Sequence, residues 1–188
     1  MEVEWALLEN PIVEEIKQMG FVLSSKLFVI ALKVFTSMSK STWKKKLEVY
    51  RRWDFSENEV LLAFRRYPWF MSSSEKKIMS HMDFFVGKMG WDRAVIIAYP
   101  QLLGFSLEKR ILPRCSVLRV LILKGLVNEN PNMGSLILKN EKHFLEKFVT
   151  KYEIEVPQLL DLYKGNNNSL LELGDGIDEV WKEPIVKC

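Results

Sequence analysis

Long apolar runs are missing from this sequence. Val120–Leu123, for example, is closed at once by Arg119 and Lys124, whereas a membrane span needs ~20 apolar residues. A membrane partner is therefore not expected. Cysteine is scarce: Cys115 sits among apolar residues and Cys188 is the last residue. That placement gives no disulfide framework and fits a reducing compartment. The two histidines, His81 and His143, lie in neither an HExxH nor a Cys-x-x-Cys setting, so no metal site is expected, and each reads as a structural or solvated helix residue. There is no phosphate loop and no nucleophile elbow, so neither an enzyme nor a cofactor nor a small-molecule substrate is indicated. The opening Met1-Glu-Val-Glu-Trp-Ala has no basic segment before an apolar core and is not an acid-poor amphipathic stretch. It reads as neither signal nor transit peptide.

What is present fits a folded chain: 188 residues, 48% hydrophobic and 27% charged. The net charge of +3 hides an uneven distribution. Lys33–Arg119 holds 17 Lys/Arg against 8 Asp/Glu, and the two ends are acidic. A basic middle of this kind suits a polyanionic partner, the bland alternative being solvated helix faces.

The basic block also repeats, with a period of 32. Phe35, Tyr67 and Tyr99 fall in register, as do Leu32, Phe64 and Ile96, and Met38, Phe70 and Leu102. Thr42, Ser74 and Ser106 follow, then Lys45, Lys77 and Lys109, then Leu47, Met79 and Ile111. Six columns that keep residue class over three copies mark a repeat array. The in-register copies run about 20–51, 52–83 and 84–115, with a degenerate copy about 116–150. The array is placed at 1–165, and 166–188, with its Asn-Asn-Asn-Ser and Gly-Asp-Gly text, is expected to be a disordered tail.

One copy reads as a helical hairpin. Ser56 with Glu59 forms a capping box, Val60, Leu61 and Phe64 give an apolar face, and Pro68 stops the helix at Tyr67. Trp69–Met71 connects to a second helix capped by Ser74 and closed by Gly90. The third copy has Ala94–Tyr99, Pro100 and Ser106 in these places, with a kink or restart expected at Pro113. Thr42 is the expected cap in the first copy. Asn10-Pro11 opens an earlier helix that Gly20 closes, Asn140 caps a helix over Glu141–Thr150, and a last helix covers Val156–Tyr163. Hairpins this small must stack to bury their apolar faces, so the fold class is all-α, a right-handed-type helical-repeat solenoid. Phe64, Phe70, Met79, Met82, Phe85, Tyr99, Leu102 and Ile111 are the expected core.

The lysine column is the odd feature. If Thr42, Ser74 and Ser106 are caps, Lys45, Lys77 and Lys109 sit in the first turn of a helix, where a cation opposes the dipole at a cost of roughly 0.3–1 kcal/mol. The same turn offers free N–H groups to phosphate. The candidate nucleic-acid contacts are Lys45, Lys77 and Lys109, with Lys44, Lys76, Arg110 and Arg114 beside them.

Four stretches resemble the plant organelle branch of the mitochondrial transcription termination factor (mTERF) family: Ser37-Met-Ser-Lys-Ser-Thr-Trp-Lys-Lys-Lys-Leu47; Phe55-Ser-Glu-Asn-Glu-Val60 running into Arg65-Arg-Tyr-Pro-Trp69; Tyr99-Pro-Gln-Leu-Leu-Gly-Phe-Ser-Leu-Glu-Lys-Arg-Ile-Leu-Pro-Arg114; and Phe144-Leu-Glu-Lys-Phe-Val-Thr-Lys-Tyr152. The resemblance covers roughly residues 5–165 and is to the C-terminal part of the usual array. It implies a superhelical array of helix–helix–short-helix repeats, binding to double-stranded DNA or in some members RNA, and a role in organelle gene expression such as transcription termination. Residence in mitochondrion or chloroplast is implied by the resemblance alone. The competing function is a helical-repeat scaffold for protein partners.

Overall fold

The structure is a computed structural model that describes residues 10–128 and 132–165. Among these residues every regular element is helical and no strand occurs, as the periodicity requires. None of their helices is long and apolar enough to cross a membrane. The expected tail, 166–188, lies outside the described residues. The chain packs as two units that divide between Met79 and Ser80, inside the sequence copy 52–83.

In the first unit, α1 (Pro11–Gln18) starts where the Asn10 side chain accepts from the Ile12 N–H at 2.9 Å. It ends at Gly20, whose φ of +90° is left-handed and favours glycine. α2 (Lys26–Thr36) is capped by Ser25 and α3 (Lys40–Arg51) by Ser39. The cap expected at Thr42 is thus corrected: the Thr42 N–H itself donates to Ser39 Oγ at 3.1 Å. α4 (Glu57–Arg66) opens on the Ser56–Glu59 capping box. It stops because Pro68 holds Tyr67 extended, at φ −153° and ψ 89°. Pro68–Ser72 is a short 3-10 helix with Pro68, Phe70 and Met71 buried. Ser74 then accepts from the Lys77 N–H and begins α5 (Glu75–Met82). Phe64 is the hub of this unit, in edge-to-face contact with Phe21 at 5.3 Å and Trp43 at 5.1 Å.

In the second unit the α5 helix widens into a π turn over Asp83–Lys88, and Gly90, at φ +63°, ends it. α6 (Arg93–Ala98) is capped by Asp92 and followed by a 3-10 helix, Pro100–Gly104. Ser106 opens a π turn over Leu107–Ile111, from which α7 (Leu112–Leu123) continues. The restart expected at Pro113 takes this form because proline has no N–H for the Lys109 carbonyl and its ring collides with it. A wider turn relieves both. α8 (Met133–Leu138) is capped by Asn132, and α9 (Glu141–Phe144), capped by Asn140, runs into a π turn at Leu145–Val149. A 3-10 turn, Thr150–Tyr152, leads to α10 (Leu159–Tyr163). The last helix is shorter than expected, because Pro157 and Gln158 form a turn before it. Phe85 stacks on Trp91 at 4.9 Å, and Phe144 packs on Phe148 and Tyr163. Of the expected core, Phe64, Phe70, Met82, Phe85, Leu102 and Ile111 are buried, while Met79 and Tyr99 are half-buried.

Candidate nucleic-acid interface

The cations of the basic block divide into those that face solvent and those that the fold itself uses. Lys44 and Lys45 are exposed on α3, one turn beyond its first. Because Ser39 is the cap, Lys45 is not in the first turn, and its place differs from that of the other two column members. Lys76 is exposed and Lys77 half-buried in the first turn of α5, with the Lys77 N–H on Ser74 Oγ at 3.2 Å. Lys109 is exposed, with its N–H on Ser106 Oγ at 3.1 Å. Lys44, Lys45, Lys76 and Lys109 form no ion pair among the described residues.

Other cations are occupied. Arg51 pairs with Glu48 and, at 3.2 Å, with Glu57. Lys40 reaches Glu15 at 3.5 Å. Arg65 donates to the Met19 carbonyl at the end of α1, 3.4 Å away, where a cation suits the helix end. Lys46 is buried, and its Nζ donates to the Met71 carbonyl at 2.6 Å. Burial lowers the Lys46 pKa, and the Glu75 carboxylate partly offsets that.

Arg110 and Arg114, both expected at the interface, turn inward instead. Arg114 is 1% exposed. Its Nη1 donates to the Ile137 carbonyl at 2.7 Å and to that of Lys139, and its guanidinium lies 4.7 Å from the Phe144 ring centre. Half-buried Arg110 donates through Nη2 to Leu138 O at 3.3 Å and Lys139 O at 2.9 Å, and stacks 3.9 Å from the Phe105 ring centre. Burial first, then the charge of Arg114 beside it, lowers the Arg110 pKa. With their donors on carbonyls that end α8, these two guanidiniums are engaged within the fold. Sequence counting over-credits the basic block in this way, because lysine and arginine stems bury readily once the head finds oxygen.

Residues that the column does not bring out are Lys46 and His81. His81 is 2% exposed, and its Nε2–H donates to the Phe105 carbonyl at 3.0 Å. Their signal is a basic residue at one distance from each cap, which shows only when the copies are aligned on the caps rather than on a fixed period. Among the described residues no cluster of His, Cys, Asp and Glu could hold a metal ion.

The mTERF family model matches the chain twice, over residues 12–85 and 35–145. An Arabidopsis thaliana protein described as transcription termination factor MTEF18, mitochondrial, is 26% identical over 90 residues, which are 48% of this chain and 16% of that protein. The matched segment thus spans well under two thirds of that relative. No solved structure matches the chain significantly.

Proposed function

Given that the chain belongs to the mTERF family, we propose that it is a nucleic-acid-binding regulator of organelle gene expression, acting in transcription termination. It grips double-stranded DNA by phosphate contacts to Lys44, Lys45, Lys76, Lys77 and Lys109. The observation that carries this is the exposure of Lys44, Lys45, Lys76 and Lys109 on second helices of three repeats, without carboxylate partners among the described residues. Unpaired surface cations serve a polyanion. Backbone contacts of this kind set register and affinity and read no bases. The relative's printed name, with "transcription termination factor" and "mitochondrial" in it, supports both the step and the compartment. The chloroplast is the alternative compartment.

The test is equilibrium binding of the whole chain to a duplex DNA and to a single-stranded RNA, each over a salt series. The expected result is tighter binding to the duplex, with log affinity falling linearly against log salt. Tighter binding to RNA makes the chain a transcript-processing factor instead. Absence of salt-dependent binding to either sinks the proposal in favour of a protein scaffold.

A further inference from the structure

One device recurs in the fold that the proposed phosphate contacts do not use. Lys46 stands seven residues after its helix cap, Ser39, and donates to the Met71 carbonyl, three residues before the next cap, Ser74. His81 stands seven residues after Ser74 and donates to the Phe105 carbonyl, immediately before the next cap, Ser106. The corresponding place after Ser106 is Pro113, which has nothing to donate.

The helix solves this by opening one turn. The Ile111 N–H reaches five residues back to the Ser106 carbonyl at 3.1 Å, a π turn that inserts one residue. Arg114, eight after the cap, therefore arrives at the angular place that Lys46 and His81 hold in their helices. It donates to Ile137 and Lys139, and Arg110, one turn earlier, to Leu138 and Lys139. These are the last carbonyls of α8, and the next cap, Asn140, follows directly.

We infer that these bonds are an inter-repeat clasp, in which Arg114 is a positioning residue that fixes the end of α8 and the Asn140-capped start of α9. A planar guanidinium satisfies several oxygens at once where an ammonium head serves them as a point charge. The carbonyl end of a helix also supplies negative charge beside both guanidiniums, and the Glu141 carboxylate adds to it at Arg110. The start of α9 carries exposed Lys139 and exposed Lys142 on either side of Asn140, Lys142 lying 3.9 Å from the Glu146 carboxylate. The clasp thus holds two further cations at a fixed place for a phosphate backbone, a consequence that rests on the proposed function. Arg114 itself is buried and acts on the ligand only through them.

The experiment uses the whole chain with Arg114→Met and Arg114→Lys. Amide exchange over 137–143 reads the clasp, and duplex binding over a salt series reads its consequence. Arg114→Met is expected to speed exchange over 137–143 roughly tenfold while leaving 11–66 unchanged, since opening is local, with Arg114→Lys in between. Duplex affinity falls by a similar factor at every salt concentration, and the salt slope stays as it was. Unchanged exchange over 137–143 overturns the clasp. A slope reduced by roughly 0.7–0.9 overturns the positioning role, because it makes Arg114 a direct phosphate contact. Should Arg114→Met unfold the chain, Arg110→Lys decides the matter by the same two readouts. If the unaltered chain shows no salt-dependent binding, the proposed function fails, and the exchange measurement still decides the clasp.

Discussion

Tyr50 shows how one buried hydroxyl ties stability to pH. It is fully buried, stacks on Phe70 at 4.6 Å and donates to the Phe70 carbonyl at 3.3 Å. Burial raises its pKa well above the ordinary value. Below about pH 10 the phenol is protonated folded and unfolded, so it adds no pH dependence. Above that, the unfolded chain releases the proton while the fold retains it. The unfolded state then binds fewer protons, and stability falls as pH rises. Lys46 acts in the opposite sense: its pKa is lowered in the fold, so stability rises with pH between that lowered value and its ordinary one. Tyr50→Phe is expected to cost about 0.5–1.5 kcal/mol at neutral pH, toward the low end because the bond is long. That cost should shrink and then reverse above about pH 10. Urea melts of both proteins from neutral to alkaline pH check this, and a difference that stays constant contradicts the burial argument. Gly134 is a second such position. A Cβ there would lie 2.4 Å from Tyr99 Cδ2, and the Tyr99 hydroxyl is held by Asn132 Nδ2 at 2.6 Å. Gly134→Ala should therefore cost about 1–3 kcal/mol, the usual range for overpacking, with no loss seen in melting if the ring can swing aside.

At the scale of elements, caps and prolines are legible in the sequence alone. Asn10, Ser56, Ser74, Ser106 and Asn140 all open helices, and Pro68 and Pro100 end them. Local chemistry fixes such positions, since one side-chain oxygen on one N–H needs no tertiary help. A strict period is a poorer guide. The caps stand at Ser39, Ser74, Ser106 and Asn140, unequally spaced, because linker lengths differ and a π turn adds a residue. Register by period therefore selects Thr42 and credits Lys45 with a first-turn place. The correction is measurable: Ser39→Ala should cost ~1 kcal/mol, as cap removal does, and Thr42→Ala clearly less. Equal costs would return the cap to Thr42. The inward turn of Arg110 and Arg114 is illegible for a different reason. Their partners are backbone carbonyls 23 to 29 residues away, and a carbonyl carries no side-chain signature in a sequence.

For the whole molecule, the question is how many of the basic residues a nucleic acid meets. The sequence offers 17 from Lys33 to Arg119. If all of these met phosphates, duplex binding would show a salt slope of about −15, taking ~0.9 per contact. The fold withdraws Lys46, Arg114 and Arg119 by burial and engages Arg51, Arg65 and Arg110 elsewhere. The five lysines proposed as contacts give about −4 to −5 on a duplex and about −3 to −4 on a single strand. Adding Lys139 and Lys142 brings the duplex figure to about −6. Lys109→Gln should then lower the slope by about 0.9 and leave melting unchanged or slightly raised, because it removes a cation from a helix start. The slope and the melting temperature report different things, so the two together separate a contact from a fold element. A measured slope near −4 to −6 that steps down with each lysine removed places the grip on these side chains. A slope of that size that ignores Lys44, Lys45, Lys76, Lys77 and Lys109 alike assigns the phosphates to other cations, and the repeated lysines become solvated helix faces.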